Sequence, residues 1–246
     1  MPAQNRNIRS ARFAQRSDIS AWVKRETPHQ RKSLETASRH FDRNDAMDVH
    51  TLEAVYAQES SFGQSRGRRN ATGPAGDFQL KRNVAQKMGL HVSKANDERF
   101  DLDAASAAAA KLLKTSDSRF SKATTLTKGL KTTQVEDAVE RKHFSLAAYN
   151  AGDARIAGAQ KLAFEAGEDP TKWKNVKKYL EKAGATKRQA DETRDYIDMI
   201  SSHEREFEKG SKADANAKFK KTKPIEKYPP GRHWVTIDGR HILIKD

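Results

Sequence analysis

A glutamate and a glycine-rich turn share one short segment of this chain, AQESSFGQSRGRRNATGPAGDFQL, residues 57–80. Glu59 closes an apolar helical stripe, and the glycines after it let the backbone turn sharply. A carboxyl group on the apolar side of a helix end, beside a cleft, is partly shielded from water, which disfavours the ionised form and should raise the pKa. Glu59 is therefore a candidate general acid near neutral pH. The alternative is a solvated glutamate at a frayed helix end.

The helix that positions this carboxyl group is predicted over residues 46–61. Its inner face is formed by apolar residues at helical spacing, Val49, Leu52, Val55 and Tyr56. Glu59 comes three residues after the last of them, on the same side. Arg66, Arg68 and Arg69 follow in the next loop, where they either grip carboxylates of a substrate or form a solvated cluster.

The rest of the chain is predicted to be mostly helical, so the fold class is all-α. Asp101 or Asp103 is the expected N-cap of the alanine-rich helix DLDAASAAAAKLLKT. Residues 115–132 are expected to form an exposed excursion. The following helical stretch should break around His143 and stop at Gly152. Three further helical segments come next, of which RQADETRDYIDMISSHEREFEKG is the longest.

Composition limits the function classes. Of the 246 residues 35% are hydrophobic and 33% charged, which predicts a small core and much solvated surface. The net charge of +14 favours polyanionic partners, including nucleic acid, anionic membrane surfaces and the bacterial cell wall. There is no cysteine, and the eight histidines lack metal-ligand spacing, so we predict neither a metal nor a cofactor. No secretory h-region and no apolar run of membrane-spanning length are visible.

Four segments are predicted along the chain. Residues 1–45 form a basic N-terminal arm, and residues 46–209 form the helical domain. Residues 210–228 are a basic linker, and residues 229–246 form a β-hairpin tail. The hairpin is indicated by two β-type runs on either side of Asp238-Gly239, in HWVTIDGRHILI.

Four collinear blocks in residues 48–205 resemble the soluble lytic transglycosylase (SLT) domain, a lysozyme-like helical fold that cleaves peptidoglycan. ESSF resembles its catalytic block, GPAGDFQL its glycine-rich block, LAAYNAG its AYN block, and ETRDYIDMI its last block. The resemblance implies one catalytic residue and seven that contact or surround the substrate. These are Glu59, Ser60, Gly76, Phe78, Gln79, Tyr149, Asn150 and Tyr196.

The resemblance also implies a role for each block. Tyr149 and Asn150 would orient the acid and the acetamido group of the substrate. Gly76 would let the backbone approach the sugar, Gln79 would line the cleft, and Phe78, in place of a methionine, would be an apolar platform for a sugar ring. Ser60 is the neighbour of the acid, and Tyr196 is the tyrosine of the last block.

The mechanism that the resemblance implies uses Glu59 alone, first as acid and then as base, to cleave the MurNAc–GlcNAc β-1,4 bond and leave a 1,6-anhydromuramyl end. Asp77 stands where the family pattern has leucine, and it provides the main alternative. If it reached the other face of the sugar, it would activate water, as in a goose-type-like lysozyme. Otherwise we expect Asp77 to be a solvated loop residue.

A non-enzymatic alternative is a basic structural or delivery protein of a virion, because the terminal hairpin resembles the tails of some phage head proteins. The two hypotheses combine in a phage virion-associated or secretion-delivered enzyme that acts in the bacterial periplasm and cell wall. Its expected partners are peptidoglycan glycan strands and a virion or secretion-machine protein that binds the hairpin. Nucleic acid is a further candidate partner because of the basic segment KFKKTK.

Overall fold

The structure, a computed structural model, describes the backbone of residues 21–22, 26–221, 232–237 and 240–245, and the side chains of residues 21–22 and 26–211. The chain divides into two compact units, Met1–Glu208 and Lys209–Asp246. The described elements are mostly helices, with three two-stranded antiparallel sheets, so the predicted all-α class is confirmed. No helix among the described residues is long and apolar enough to cross a membrane.

Helix α1, Pro28–Ser38, begins at a capping box in which Thr27 and Gln30 bond each other's backbone amides. Leu34 and Ala37 on this helix lie in the hydrophobic core. Trp22 is also buried, and its ring stacks on Phe62 with 4.0 Å between ring centroids. The prediction of a separate arm over residues 1–45 is therefore wrong for Trp22 and α1, because Trp22, Leu34 and Ala37 are core residues.

Truncating Leu34 should show how much the packing of α1 contributes to the free energy of unfolding. Leu34 is 0% exposed, so Leu34→Ala should lower the free energy of unfolding by about 2–5 kcal/mol. Glu35→Ala, at an exposed site on the same helix, is the matched control and should change little. Urea unfolding of both variants measures the difference, and equal stabilities would contradict the assignment of α1 to the core.

Helix α2, Val49–Ser60, carries Glu59 near its C-terminal end. Asp48 caps it by accepting hydrogen bonds from the amides of His50 and Thr51. The sequence predicted one apolar face, but every residue from Thr51 to Ala57 is buried. The helix is thus enclosed on all sides, which fixes its end in place.

Because α2 is enclosed, Glu53 is 0% exposed, and it lies in a buried ionic cluster. Arg31 on α1 bridges Glu53 and Glu26, with N–O distances of 3.0 and 2.8 Å. His50 Nδ1 lies 2.7 Å from the second oxygen of Glu53. Burial, together with the charge of Glu53, raises the pKa of Glu26 from 4.5 to about 7. The cluster joins α1 to the helix that carries the candidate acid.

The raised pKa of Glu26 predicts a pH-dependent stability. A carboxyl group with a higher pKa in the folded state stabilises the fold below its unfolded pKa, and this contribution is lost as the pH rises through the folded value. Relative to Glu26→Gln, the wild-type free energy of unfolding should therefore fall by roughly 2 kcal/mol between pH 4.5 and about 7. Denaturant titrations across this range measure it, with Glu35→Gln as the matched control. Parallel curves for wild type and Glu26→Gln would contradict the prediction.

The glycine-rich segment forms a small hairpin of β1, Pro74–Ala75, and β2, Leu80–Lys81. Helix α3, Arg82–Lys87, and a 3₁₀ turn, Glu98–Phe100, follow. Helix α4, Leu102–Phe120, packs against both α1 and the later helix Ala138–Ala151.

Asp101 is the N-cap of α4, which decides between the two predicted caps. The helix continues through the buried Phe120, so the predicted excursion at residues 115–132 begins too early. Its remainder contains the hairpin of β3, Thr125–Thr127, and β4, Leu130–Lys131.

Helix α5, Ala138–Ala151, ends at Gly152 as predicted, where φ is 91°. It runs through His143 without the expected break, because Phe144 and its neighbours to Ala148 are buried. Helix α6, Asp153–Glu165, the short α7, Trp173–Val176, and a 3₁₀ turn, Lys177–Tyr179, come next.

Helix α8 covers Lys187–Lys221, so the first part of the predicted linker, 210–228, is helical. Strands β5, Arg232–Ile237, and β6, Arg240–Lys245, pair in antiparallel register. This confirms the predicted C-terminal hairpin, although Asp238 and Gly239 of its turn lie outside the described residues, as do residues 1–20 of the predicted arm.

Candidate active site

The candidate acid meets a tyrosine from the far end of the sequence. Tyr196 on α8 donates its hydroxyl hydrogen bond to Glu59 Oε1, with 2.8 Å between the oxygens. Tyr196 is only 4% exposed, whereas the side chain of Glu59 is partly exposed. The contact fixes one carboxyl oxygen against a buried donor and leaves the group within reach of solvent.

A second tyrosine approaches from α5. Tyr149 donates its hydroxyl hydrogen bond to the carbonyl oxygen of Phe78, at 2.8 Å. Burial and the nearby charge of Glu59 raise the pKa of both Tyr149 and Tyr196 well above 10. Both phenols therefore stay protonated near neutral pH, as hydrogen-bond donors beside one carboxyl group.

Asn150, the next residue on α5, is held by α8. Thr193 donates a hydrogen bond from Oγ1 to Asn150 Oδ1, at 2.7 Å. Thr193 lies one helical turn before Tyr196, so a single face of α8 fixes both the amide and the acid. Thr193 was not among the predicted site residues, although it lies three residues before Tyr196 in the block ETRDYIDMI and therefore on the same face of a helix.

The glycine-rich turn reaches the same site through its backbone. Gly76 has φ of 81°, and a Cβ atom there would lie 1.9 Å from the carbonyl oxygen of Arg99. The structure therefore requires glycine at this position for close packing on Arg99. Gln79 has φ of 46°, and its Nε2 donates to the carbonyl oxygen of Gly76 at 2.8 Å. Its partly exposed side chain stays at the turn.

A family model described as the transglycosylase SLT domain matches residues 38–171 of this chain. The chain belongs to the SLT domain family. Two curated relatives are both described as membrane-bound lytic murein transglycosylase F. The protein from Desulfosudis oleivorans is 31% identical over 133 residues, which cover 54% of this chain and 25% of that protein. The protein from Pseudomonas fluorescens is 30% identical over 158 residues, 62% of this chain and 28% of that protein.

This chain thus spans only about a quarter of the length of these relatives. The match starts at residue 38, where α1 ends, and therefore includes the last residues of the predicted arm, 1–45. The SLT domain of this chain has the predicted all-α, lysozyme-like fold.

Two residues predicted to contact the substrate are instead buried in the SLT domain. Phe78 is 0% exposed and stacks on Tyr56 with 5.4 Å between ring centroids, so its predicted role as a sugar platform is wrong. Ser60 is 1% exposed, and its Oγ accepts a hydrogen bond from the amide of Gly63 at 2.9 Å. That contact lets Ser60 hold the loop that follows α2.

Asp77 is not the solvated loop residue that the sequence predicted. It is 0% exposed, and its Oδ1 lies 2.9 Å from Arg66 Nε. Burial raises the pKa of Asp77 above its ordinary value, although the charge of Arg66 opposes this. Of the three arginines in this loop, Arg66 faces inward, and the guanidinium of Arg69 lies 4.7 Å above the ring of Phe100.

The SLT domain contains an organising residue that sequence reasoning missed. Arg99 is 0% exposed, and its guanidinium forms two hydrogen bonds with the carboxylate of Asp97, at 2.9 and 2.8 Å. It also donates to the carbonyl oxygens of Ala71, Gly73 and Leu80, at 2.9–3.1 Å. These carbonyls belong to the glycine-rich segment, so one buried guanidinium holds the turn in shape. The Asp-x-Arg spacing was its only sequence signal.

Removal of the Tyr196 hydroxyl tests its contact with Glu59. If the chain cleaves peptidoglycan, as proposed below, Tyr196→Phe should lower kcat on purified sacculi by about 10- to 100-fold, because a hydrogen bond to a carboxyl group that changes charge is lost. Tyr179→Phe is the matched control, since Tyr179 donates to Glu168 at 3.1 Å elsewhere. An unchanged kcat for Tyr196→Phe would show that this contact does not orient the acid.

Among residues 21–22 and 26–211, no group of three or more histidine or carboxylate side chains could hold a metal ion. The chemistry available at the described site is that of one carboxyl group, two phenols and an amide. Such a set can transfer a proton and orient a polar substrate.

Proposed function

We propose that this chain is a peptidoglycan lytic transglycosylase, which cleaves the MurNAc–GlcNAc β-1,4 bond and leaves 1,6-anhydromuramyl ends. The observation that carries the proposal is the hydrogen bond from Tyr196 to Glu59 at 2.8 Å, in a chain that belongs to the SLT domain family. A carboxyl group that is partly exposed and oriented by a buried donor suits an acid that must meet a bulky polymer.

In the proposed reaction Glu59 acts twice. Protonated Glu59 gives its proton to the glycosidic oxygen, and the bond between that oxygen and the muramyl C1 breaks. The acetamido oxygen of the substrate supports the positive charge at C1. The muramyl six-hydroxyl then attacks C1, and the Glu59 carboxylate takes the hydroxyl proton. Glu59 ends protonated as it began, and no water is consumed.

The neighbouring groups have distinct tasks in this proposal. Tyr196 holds one oxygen of Glu59, so the carboxyl group keeps its direction through both proton transfers. Asn150 follows Tyr149 on α5 and is fixed by Thr193 at 2.7 Å. An amide held in this way suits the acetamido group of the substrate.

The burial of Asp77 argues against the hydrolytic alternative. An inverting lysozyme needs a second carboxylate that activates water on the opposite face of the sugar. Asp77 is 0% exposed and lies against Arg66, so it has no access to such a water. The single-carboxylate reaction is therefore the function we propose.

Product analysis in heavy-oxygen water tests the reaction type. The purified chain should release muramyl products that are lighter by one water than hydrolysed ends and that carry no heavy oxygen. Hydrolysis would instead give reducing ends with one heavy oxygen atom each. Labelled reducing ends from wild type, absent from the Glu59→Gln digest, would refute the transglycosylase proposal and support a lysozyme.

We further propose that the C-terminal hairpin docks on a virion or secretion-machine protein and delivers the enzyme to the cell wall. A two-stranded hairpin such as β5–β6 is marginally stable alone in water, which favours a partner. Removing residues 229–246 should leave the purified activity intact and abolish incorporation into the particle. Lost activity with normal incorporation would count against this role.

A further inference from the structure

A charged contact links the loop after the catalytic helix to the glycine-rich turn. Arg66 Nε lies 2.9 Å from Asp77 Oδ1, where the Arg66 side chain is 38% exposed and the Asp77 side chain 0%. The phenol of Tyr56, one turn before Glu59 on α2, also faces the Asp77 carboxylate. Asp77 therefore lies between the Arg66 guanidinium and the phenol of Tyr56, which belongs to the same helix as Glu59.

The space around this contact is filled. A Cβ atom at Gly63 would lie 2.9 Å from Asp77 Oδ1, 2.9 Å from the Tyr56 hydroxyl and 3.0 Å from Arg66 Nε. Gly63 also has φ of 80°, a conformation that favours glycine, and a residue without a Cβ atom leaves room for the three polar groups. Gly63 therefore leaves the space that the Asp77 carboxylate, the Tyr56 hydroxyl and the Arg66 guanidinium share.

The backbone of the turn is held on two sides. The amide of Gly76 donates to the carbonyl oxygen of Arg66 at 2.7 Å, and the amide of Asp77 donates to that of Arg99 at 3.0 Å. The side chain of Asp77 also faces the phenol of Tyr56 on α2. The next residue, Phe78, offers its carbonyl oxygen to the Tyr149 hydroxyl at 2.8 Å. A shift of the turn at Asp77 would therefore move the acceptor of Tyr149.

We propose that Arg66 and Asp77 form a positioning pair, which holds residues 76–79 so that the Phe78 carbonyl keeps Tyr149 beside Glu59. For its effect on catalysis this inference rests on the proposed function. Neither residue touches the reacting atoms, and both act through Tyr149.

Stability alone does not account for the pair. A buried ion pair can often be replaced by apolar residues without loss of stability, because desolvation of the two charges offsets their attraction. The leucine of the family pattern at position 77 would be such an apolar residue. The close approach of the two opposite charges, 2.9 Å between Arg66 Nε and Asp77 Oδ1, ties the turn to the loop after α2, which a leucine side chain would not do.

A double-mutant cycle with two readouts tests the pair. The variants are Arg66→Gln, Asp77→Asn and the double variant, with Arg68→Gln, an exposed arginine of the same loop, as matched control. Each single variant should lower kcat about tenfold and change KM less than about twofold, because the orientation of Tyr149 is lost while binding groups remain. The double variant should be no slower than either single variant, because the two residues act as a unit.

Amide hydrogen exchange of the peptide spanning residues 74–81 is the second readout and needs no activity. Exchange should be faster in both single variants by about tenfold and unchanged in Arg68→Gln and Glu59→Gln. Unchanged exchange in Arg66→Gln, or kcat losses that multiply in the double variant, would overturn the proposal. If wild type releases no anhydromuramyl ends, the proposed function fails. Amide hydrogen exchange of residues 74–81 still decides in that case whether Arg66 and Asp77 hold the turn.

Discussion

Glu59→Gln should abolish nearly all turnover, with a fall in kcat of roughly 1,000-fold or more, because the amide can neither donate nor accept the proton that both steps require. The side chains have nearly the same shape, and Tyr196 still finds an oxygen to bond at its present distance of 2.8 Å. Glycan binding and the free energy of unfolding should therefore stay close to those of wild type. Release of soluble muropeptides from sacculi measures turnover, and equilibrium binding to glycan strands measures affinity.

The same chemical change at a distant site separates this effect from a general loss of charge. Glu165→Gln, at an exposed position at the end of α6, is the matched control and should leave turnover unchanged. Full activity in Glu59→Gln would show that another group supplies the proton. Lost binding in Glu59→Gln would show that the glutamate acts on affinity.

Arg99→Lys should have the largest effect on stability, with a loss of about 3–5 kcal/mol in the free energy of unfolding. Arg99 is 0% exposed, and its fork reaches one carboxylate and three backbone carbonyls at the same time. A lysine ammonium lacks this planar fork, so several of the buried acceptors lose their donor. Activity should fall as well, because those carbonyls shape the turn that carries Phe78 and Gln79.

Thermal and urea unfolding measure the loss, with Arg68→Lys as the matched control at an exposed position in the preceding loop. The control should unfold like wild type. Wild-type stability in Arg99→Lys would mean that the carbonyls find other donors and that the turn does not depend on this residue.

Two helix ends of this protein were predictable because they depend on local chemistry. Asp101 caps α4 through its own side chain, and Gly152 supplies a positive φ that other residues disfavour. The C-terminal hairpin was predictable for the same reason, from its alternating runs around a two-residue turn.

The direction of individual side chains in the site was not predictable. Ser60 directly follows the acid in its motif and Phe78 belongs to the glycine-rich block, but both side chains are buried in the core. Buried charges were hidden for a related reason. Asp77 and Glu53 look like surface residues until folding brings Arg66 and Arg31 to them, and Arg99 does so until the carbonyl groups of the glycine-rich segment surround it. The docking of α1 was missed because sparse apolar residues are hard to tell from a solvated arm.

The hydrogen bond between Glu59 and Tyr196 joins positions 137 residues apart in sequence. During translation the glutamate leaves the ribosome long before the tyrosine, so a nascent chain that ends before α8 carries the acid without its orienting donor. The complete active centre forms only when synthesis of the domain is nearly finished. Under the proposed function, truncated products that end before Tyr196 would therefore cleave glycan strands poorly.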